Sequence, residues 1–255
     1  MEKIALITGA TSGIGKATAL VLAKKGYNLI VTGRRQERLA ELRGKIDELY
    51  SDINVTELCF DIRNNQEVER AIDSLPDEWK AIDVLINNAG LAVGLNPIQE
   101  GVIDDWERMI DTNIKGLLYI TRKVSPIMAE RGKGHIVNIG SIAGKEVYGN
   151  GNVYCATKHA VDALTKAMRI DLVQHGIKVT SICPGMVETE FSLVRFKGNN
   201  SRAKDVYNGF EPLTAGDIAD VISYVIGLPP HVTINDLLIM PTAQANSTVV
   251  KRAII

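Results

Sequence analysis

The sequence predicts an α/β fold, a doubly wound sheet of seven parallel strands with helices on both faces. Two observations in the 255 residues predict it. Short β-branched apolar runs alternate with longer stretches whose apolar residues fall three and four apart. The short runs are apolar without a polar face, as in strands covered on both sides. Right-handed crossovers between such strands then distribute the helices over the two faces.

In chain order, "KIALITG" at 3–9 is the first strand and 14–25 carries the first helical spacing. "NLIVTG" at 28–33, helix 37–50, "NVTELCFD" at 54–61 and helix 65–75 continue the alternation. "DVLINNAG" at 83–90 is followed by a helix over 112–131, "GHIVNIGS" at 134–141 by one over 153–174. "KVTSICPG" at 178–185 is the sixth strand, and after a helix over 215–227, "DLLIMPT" at 236–242 is the seventh. No repeat, linker or low-complexity segment divides the chain, so one domain over 1–255 is expected. The longest stretch without period, 186–212, is a candidate substrate lid, since long irregular segments in compact domains are usually functional.

Composition excludes several function classes. With 29 basic and 30 acidic side chains the net charge is −1, which offers no field for a polyanion or an acidic membrane. The densest basic stretch, "GRRQERLAELRGK", is interleaved with Glu37 and Glu41. No run approaches the roughly 18 apolar residues of a membrane span, and "IALITG" is too short for a signal core. Cys59, Cys155 and Cys183 are odd in number and widely spaced, without metal or redox spacing, and read as reduced core or near-core thiols of a cytoplasmic protein. His135, His159, His175 and His231 match no triad or metal spacing and read as surface or core-edge residues, so no metal is implied.

At the first strand-to-helix turn, "LITGATSGIGKA" places Gly9, Gly13 and Gly15 where a backbone must turn tightly and admit a pyrophosphate to a helix N-terminus. Their three-then-one spacing differs from the usual dinucleotide fingerprint. The position at the first strand of a doubly wound sheet nevertheless favours dinucleotide binding over a plain glycine-rich turn. At the end of the second strand, where an NAD-binding domain places a carboxylate on the ribose 2′-hydroxyl, stand Gly33, Arg34 and Arg35. A guanidinium pairs with a 2′-phosphate through charge-assisted bonds worth roughly 1.5–3 kcal/mol each. Two merely solvated arginines at a helix start would sit against the macrodipole. NADP is therefore the expected cofactor.

"NVYCATKHA" at 152–160 sets Tyr154 four residues before Lys158, on one face if helical. An ammonium there would favour the phenolate and lower its pKa. The spacing alone is weak, for Tyr119 and Lys123 repeat it. What separates the pairs is place. Ser141 ends the fifth strand on the same rim as the glycine turn, and Tyr154 and Lys158 begin the next helix, whereas Tyr119 and Lys123 lie well inside a long one.

Together "TGATSGIG", "NNAG" at 87–90, Asn113, Ser141, Tyr154 with Lys158, and "PGMVET" at 184–189 resemble, in this order and over essentially the whole chain, the short-chain dehydrogenases/reductases. The resemblance implies a Rossmann-type domain and a catalytic group of Asn113, Ser141, Tyr154 and Lys158. In it Tyr154 protonates the substrate oxygen, Ser141 holds that oxygen, Lys158 depresses the phenol and binds the nicotinamide ribose, and Asn113 positions a proton-feeding water. It also implies cofactor contacts at Thr11, Ser12, Ile14, Asp61 (on the adenine), Ile62, Asn87, Ala89, Gly90, Pro184, Gly185, Val187 and Thr189 (on the carboxamide), beside the glycines and arginines already named.

"EFSLVRFKG" at 190–198, "GNVYCATK" and "LPPHVTINDLLIMPTAQ" are similar to the NADP-dependent 3-hydroxy acid dehydrogenases, which act on serine, allo-threonine and 3-hydroxypropionate-type acids. Such substrates carry an anion, and Arg195 in the candidate lid can pair with a carboxylate bidentately or else make a surface or subunit contact. A sulfonate suits the same chemistry, so a reductase of small sulfonated aldehydes is the nearest alternative. A non-catalytic NADP sensor would not need the whole hydroxyl, phenol, ammonium and amide set. An epimerase or dehydratase would show another glycine spacing and a longer C-terminal region. The resemblance suggests a homotetramer, and the terminal "AII" suits a subunit contact.

Overall fold

The computed structural model describes residues 3–253. Its strands are β1 (Lys3–Ile7), β2 (Tyr27–Gly33), β3 (Val55–Cys59), β4 (Ile82–Asn87), β5 (Gly134–Ile139), β6 (Ile177–Pro184), the two-residue β7 (Val187–Glu188) and β8 (Leu213–Thr214), and β9 (Asp236–Ile239). The helices are α1 (Gly13–Lys24), α2 (Gln36–Leu49), α3 (Asn65–Asp73), α4 (Ile103–Ile110), α5 (Leu117–Glu130), α6 (Asn152–Leu172), α7 (Glu190–Arg195), α8 (Asn200–Asp205) and α9 (Ala215–Ile226). Seven strands form one sheet in the order β3-β2-β1-β4-β5-β6-β9, all pairings parallel. The order reverses between β1 and β4, and a crevice opens beyond the carboxyl ends of those strands.

Both faces of the sheet are dry because its central strands carry no polar alternation; β6 is buried at seven of its eight positions, in the pattern BiBBBBBB. On one face Leu22 of α1, Leu39, Leu42 and Ile46 of α2, and Ile218 and Ile222 of α9 close a core with Leu29 and Val31. On the other, Val68 and Ile72 of α3, Ile120, Val124 and Met128 of α5, and Val161 of α6 pack on Leu6, Leu85 and Ile136. Each such buried side chain contributes about 1.5–3 kcal/mol.

The seven expected strands match the sheet, and the differences are local. The 186–212 segment is not irregular throughout: it holds α7 and α8, whose six residues each are too few to show a period. Helix α4 was not expected, because its short apolar stripe at Ile103, Met109 and Ile110 is interrupted by Asp104, Asp105 and Glu107. The helix expected from 112 begins as a π-turn, Asp111–Gly116, leading into α5. Cys59 is exposed rather than near-core, since β3 is the edge strand. His135 is not at the core edge but 4% exposed, in a strand with neighbours on both sides. Of the C-terminal apolar run only Ala253 falls within the described residues.

Candidate active site

The crevice begins at the glycine turn. Gly9 and Gly13 have φ of +67° and +52°, a conformation that side chains rarely adopt. A Cβ on Gly9 would lie 2.9 Å from Ala89 Cα, and one on Gly15 would lie 2.5 Å from Gly9 O and Asn88 Nδ2. Thr8 Oγ1 accepts from the Asn88 and Ala89 amides at 3.0 Å, and Asn88 Nδ2 donates to Thr8 O and Gly9 O at 2.8 and 3.2 Å. The end of β4 is thereby bolted to the turn. Ser12, the N-cap of α1, makes no capping bond with its side chain. The first amides of α1 remain available to an anion.

A cleft of about 350 Å³ runs from this turn to Tyr154. Of the residues expected to bind the cofactor, all but Gly15 and Asn87 line it. Gly15 serves by letting α1 pack against Gly9. Asn87 is a correction: it is 4% exposed, and its Nδ2 donates to Thr121 Oγ1 and Asn138 Oδ1 beneath the cleft. Its neighbour Asn88 is the cleft residue.

At the end of β2, Arg34 and Arg35 both line the cleft. Arg34 lies 3.9 Å from Asp61 with a side chain 57% exposed. Arg35 is held by Thr11, Ser12 and Glu190. Burial works to raise the Asp61 carboxyl, but hydrogen bonds from Arg63 and the Arg63 and Arg34 charges hold it below the ordinary range. Gly33 is not a free seat for a larger side chain, since a Cβ there would lie 2.6 Å from Thr11 Cγ2.

The other end of the cleft brings together Ser141, Tyr154 and Lys158. Ser141 caps a short 3₁₀ turn, accepting from the Ala143 amide at 3.1 Å, and hydrogen-bonds the Tyr154 phenol. Lys158 Nζ donates to Ile139 O at 2.8 Å, and burial lowers its pKa to about 8. The electrostatics differ from expectation. Burial raises the Tyr154 phenol above its ordinary value, with Tyr148 adding to the effect; the Ser141 bond and the Arg195 charge oppose it. Arg195 lies over this ring, and its charge works to lower the phenol's pKa.

Asn113 sits in the π-turn behind the cleft. Its Oδ1 accepts from Leu91 N at 2.8 Å, and its Nδ2 donates to Leu91 O at 2.8 Å and Thr157 Oγ1 at 3.0 Å. The side chain therefore clamps the loop after β4 to α6. Arg195, the last residue of α7, stacks on both Tyr148 and Tyr154 at 5.3 Å from each ring centroid and donates to the Tyr148 hydroxyl. Its Nε is buried without a partner among the described residues. Phe191 meets Tyr154 edge-on at 5.6 Å. Tyr119, by contrast, is a residue of α5 partly buried against the core, and Lys123 pairs with Asp73 at 2.7 Å.

Sequence reasoning missed Asn88, Tyr148, Phe191 and Glu190. Asn88 was within reach: strand alternation turns Asn87 and Asn88 to opposite sides, and only one can face the crevice. The other three depend on where α7 docks, which no local pattern encodes.

The profile of the short chain dehydrogenase family matches residues 3–199. NADP-dependent 3-hydroxy acid dehydrogenase YdfG of Escherichia coli O6:H1 is 48% identical over 243 residues, 95% of this chain and 96% of that protein. Sulfoacetaldehyde reductase 2 of Chromohalobacter salexigens is 46% identical over 246 residues, 96% of each. The solved closed form of serine dehydrogenase complexed with NADP+ superposes with a TM-score of 0.91 at 46% identity, covering 98% of this chain and 99% of that one.

Proposed function

This chain belongs to the short-chain dehydrogenase family, and from that premise we propose that it is an oxidoreductase moving a hydride between NADP(H) and a small 3-hydroxy acid or the matching semialdehyde or keto acid. The observation that carries the substrate class is the Arg195 guanidinium stacked on Tyr154 with a buried, unpartnered Nε–H. A donor desolvated in this way needs an acceptor, and a substrate carboxylate supplies one beside the acid that protonates its carbonyl. The cofactor fits the chain: Gly9 and Gly15 lie where a Cβ would collide, Gly13 holds a positive φ, and two guanidiniums stand where an NAD-specific site carries an acid.

NADPH, when bound, supplies the hydride. Tyr154 is the general acid, and its raised pKa keeps the phenol protonated at neutral pH. Ser141 shares the substrate oxygen and fixes the phenol by hydrogen bond. Lys158, with a pKa near 8, exchanges its proton close to neutrality and so suits relay from solvent. Asn113 is a positioning residue, holding the Leu91 loop against α6.

The 3–253 chain acts as one NADP-binding domain, with 186–212 as the substrate lid. The free, buried Cys155 and Cys183 suit a reducing cytoplasm. Among the described residues no helix is long and apolar enough to cross a membrane. Exposed Ile103, Ile110 and Leu118 along α4 and α5, with Ile170 at the end of α6, give the apolar surface a homotetramer would cover.

A second reading rests on the 46% identity to sulfoacetaldehyde reductase 2. Arg195 pairs equally well with a sulfonate. One panel tests both: serine, allo-threonine, 3-hydroxypropionate, isethionate, neutral alcohols and the matching aldehydes, assayed with NADP(H) and NAD(H). Comparable rates on neutral alcohols would defeat the anionic-substrate reading.

A further inference from the structure

Glu190 joins two parts of the molecule that the proposed reaction uses separately. It is the first residue of α7 and lies on the cleft wall. One carboxylate oxygen accepts from Arg35 Nη1 at 3.1 Å, the other from Arg38 Nη1 at 2.5 Å. The rest of Arg35 is engaged at the glycine turn: Nε and Nη2 donate to Thr11 Oγ1 at 3.2 and 2.9 Å, and Nη2 donates to Ser12 Oγ at 3.0 Å. Every nitrogen of this guanidinium thus has a partner within the chain.

A 2′-phosphate arriving after Gly33 must take Arg35 from one of those partners. Thr11 and Ser12 are neutral and can donate their own hydroxyl protons to a phosphate oxygen. Glu190 carries the phosphate's sign. Although burial works the other way, the Arg38 and Arg35 hydrogen bonds hold its carboxyl below the ordinary range, so it stays ionised at neutral pH. Two anions on one guanidinium repel, so the Glu190 contact is the one that yields. The same short helix carries Phe191 and Arg195 to Tyr154.

We propose that Glu190 is a specificity-determining residue that competes with the coenzyme's 2′-phosphate for Arg35, so that phosphate binding frees the root of α7, the helix that covers the catalytic tyrosine. This rests on the NADP reading above, and its test separates the two. Wild type, Glu190→Gln and Glu190→Asp are titrated calorimetrically with 2′,5′-ADP and 5′-AMP. Wild type that binds both nucleotides alike overturns the NADP reading and the proposal with it. Given a preference for 2′,5′-ADP, Glu190→Gln should bind it about two- to fivefold more tightly than wild type, a range set by half-exposed ion pairs. It should bind 5′-AMP as wild type does. Glu190→Asp keeps the competing charge and should stay close to wild type on both. Unchanged or weaker 2′,5′-ADP binding by Glu190→Gln overturns the proposal, and so does an equal gain for 5′-AMP, which would mark general loosening of the cleft. Glu190→Ser carries the same expectation should the Gln variant not fold.

Discussion

The guanidinium carbon of Arg195 lies 5.3 Å from the centroid of the Tyr154 ring. One cation therefore lies over both the Tyr148 ring and the ring of the proposed catalytic acid. Arg195→Ala should sharply raise KM for serine or 3-hydroxypropionate while affecting neutral alcohols much less, since it removes a charge-assisted pair worth about 1.5–3 kcal/mol. A parallel fall in kcat would show that the contact also orients the carbinol. Arg195→Lys should recover only part, lacking the fork. Wild-type kcat/KM for Arg195→Ala on every acidic substrate would rule the clamp out.

Tyr154→Phe keeps the stack with Phe191 and Arg195 but loses the acidic proton. It should cost about 10²–10⁴-fold in kcat with NADPH affinity nearly intact. Tyr119→Phe, which alters only the packing of α5 against the core, should change kcat little. Steady-state rates with direct NADPH titration separate these outcomes, and equal losses would refute the assignment.

Arg34→Ala should weaken NADP affinity more than NAD affinity, because Arg34 is exposed beside the cleft where it can meet a 2′-phosphate, while its charge also acts on Asp61 at 3.9 Å. Gly33→Asp is a poor route to NAD preference, because its Cβ would meet Thr11 Cγ2 at 2.6 Å. That variant should weaken both cofactors unless Thr11 is also shortened. Fluorescence titration with NADPH and NADH reads the difference.

Buried His135 should make the fold acid-sensitive. Thr180 Oγ1 donates to Ile234 O, so the imidazole Nε2–H donates to Thr180 at 2.8 Å, and the bare Nδ1 has no partner among the described residues. Protonation would add a buried charge, and burial, with Lys178 assisting, lowers the pKa to about 3. An unfolded histidine takes its proton near pH 6.5. Between those values the unfolded chain binds more protons, so stability falls as pH falls through the window. From pH 7 to 5 wild type should lose about 2 kcal/mol more than His135→Gln, whose amide can still donate to Thr180. Urea denaturation at the two pH values measures it, and equal losses would remove the role of His135.

Much of the fold was legible because the information is local: β6 is apolar at consecutive positions, and α1 follows a turn that only glycines can make. The candidate catalytic residues were legible because Ser141 ends a strand and Tyr154 starts the next helix, so topology alone brings them to one rim. What stayed hidden depends on packing. The i,i+4 spacing of Tyr154 and Lys158 suggested that the lysine governs the phenol, but burial dominates both groups and raises one pKa while lowering the other. Arg195 could be placed in the lid from sequence, but not over Tyr154, and Glu190 gave no signal, because a lone acid at a helix start reads as an ordinary end charge.

The π-turn at Asp111–Gly116 has a consequence for chain length. Each residue advances an α-helix by about 100°, so the extra residue taken up by a π-turn offsets everything after it by about that angle. Upstream, α4 keeps Asp105 and Met109 buried near the site; downstream, α5 keeps Ile120, Val124 and Met128 buried on the sheet. The turn acts as a phase shifter between two faces that one uninterrupted helix of the same residue number could not bury at once, and Asn113 sits at the slip. The extra residue is thus what the slip consumes: deleting Ile114 would let Asp111–Gly116 close as ordinary α-helix with both buried stripes kept in phase, and what would be lost is the place of Asn113 at the slip.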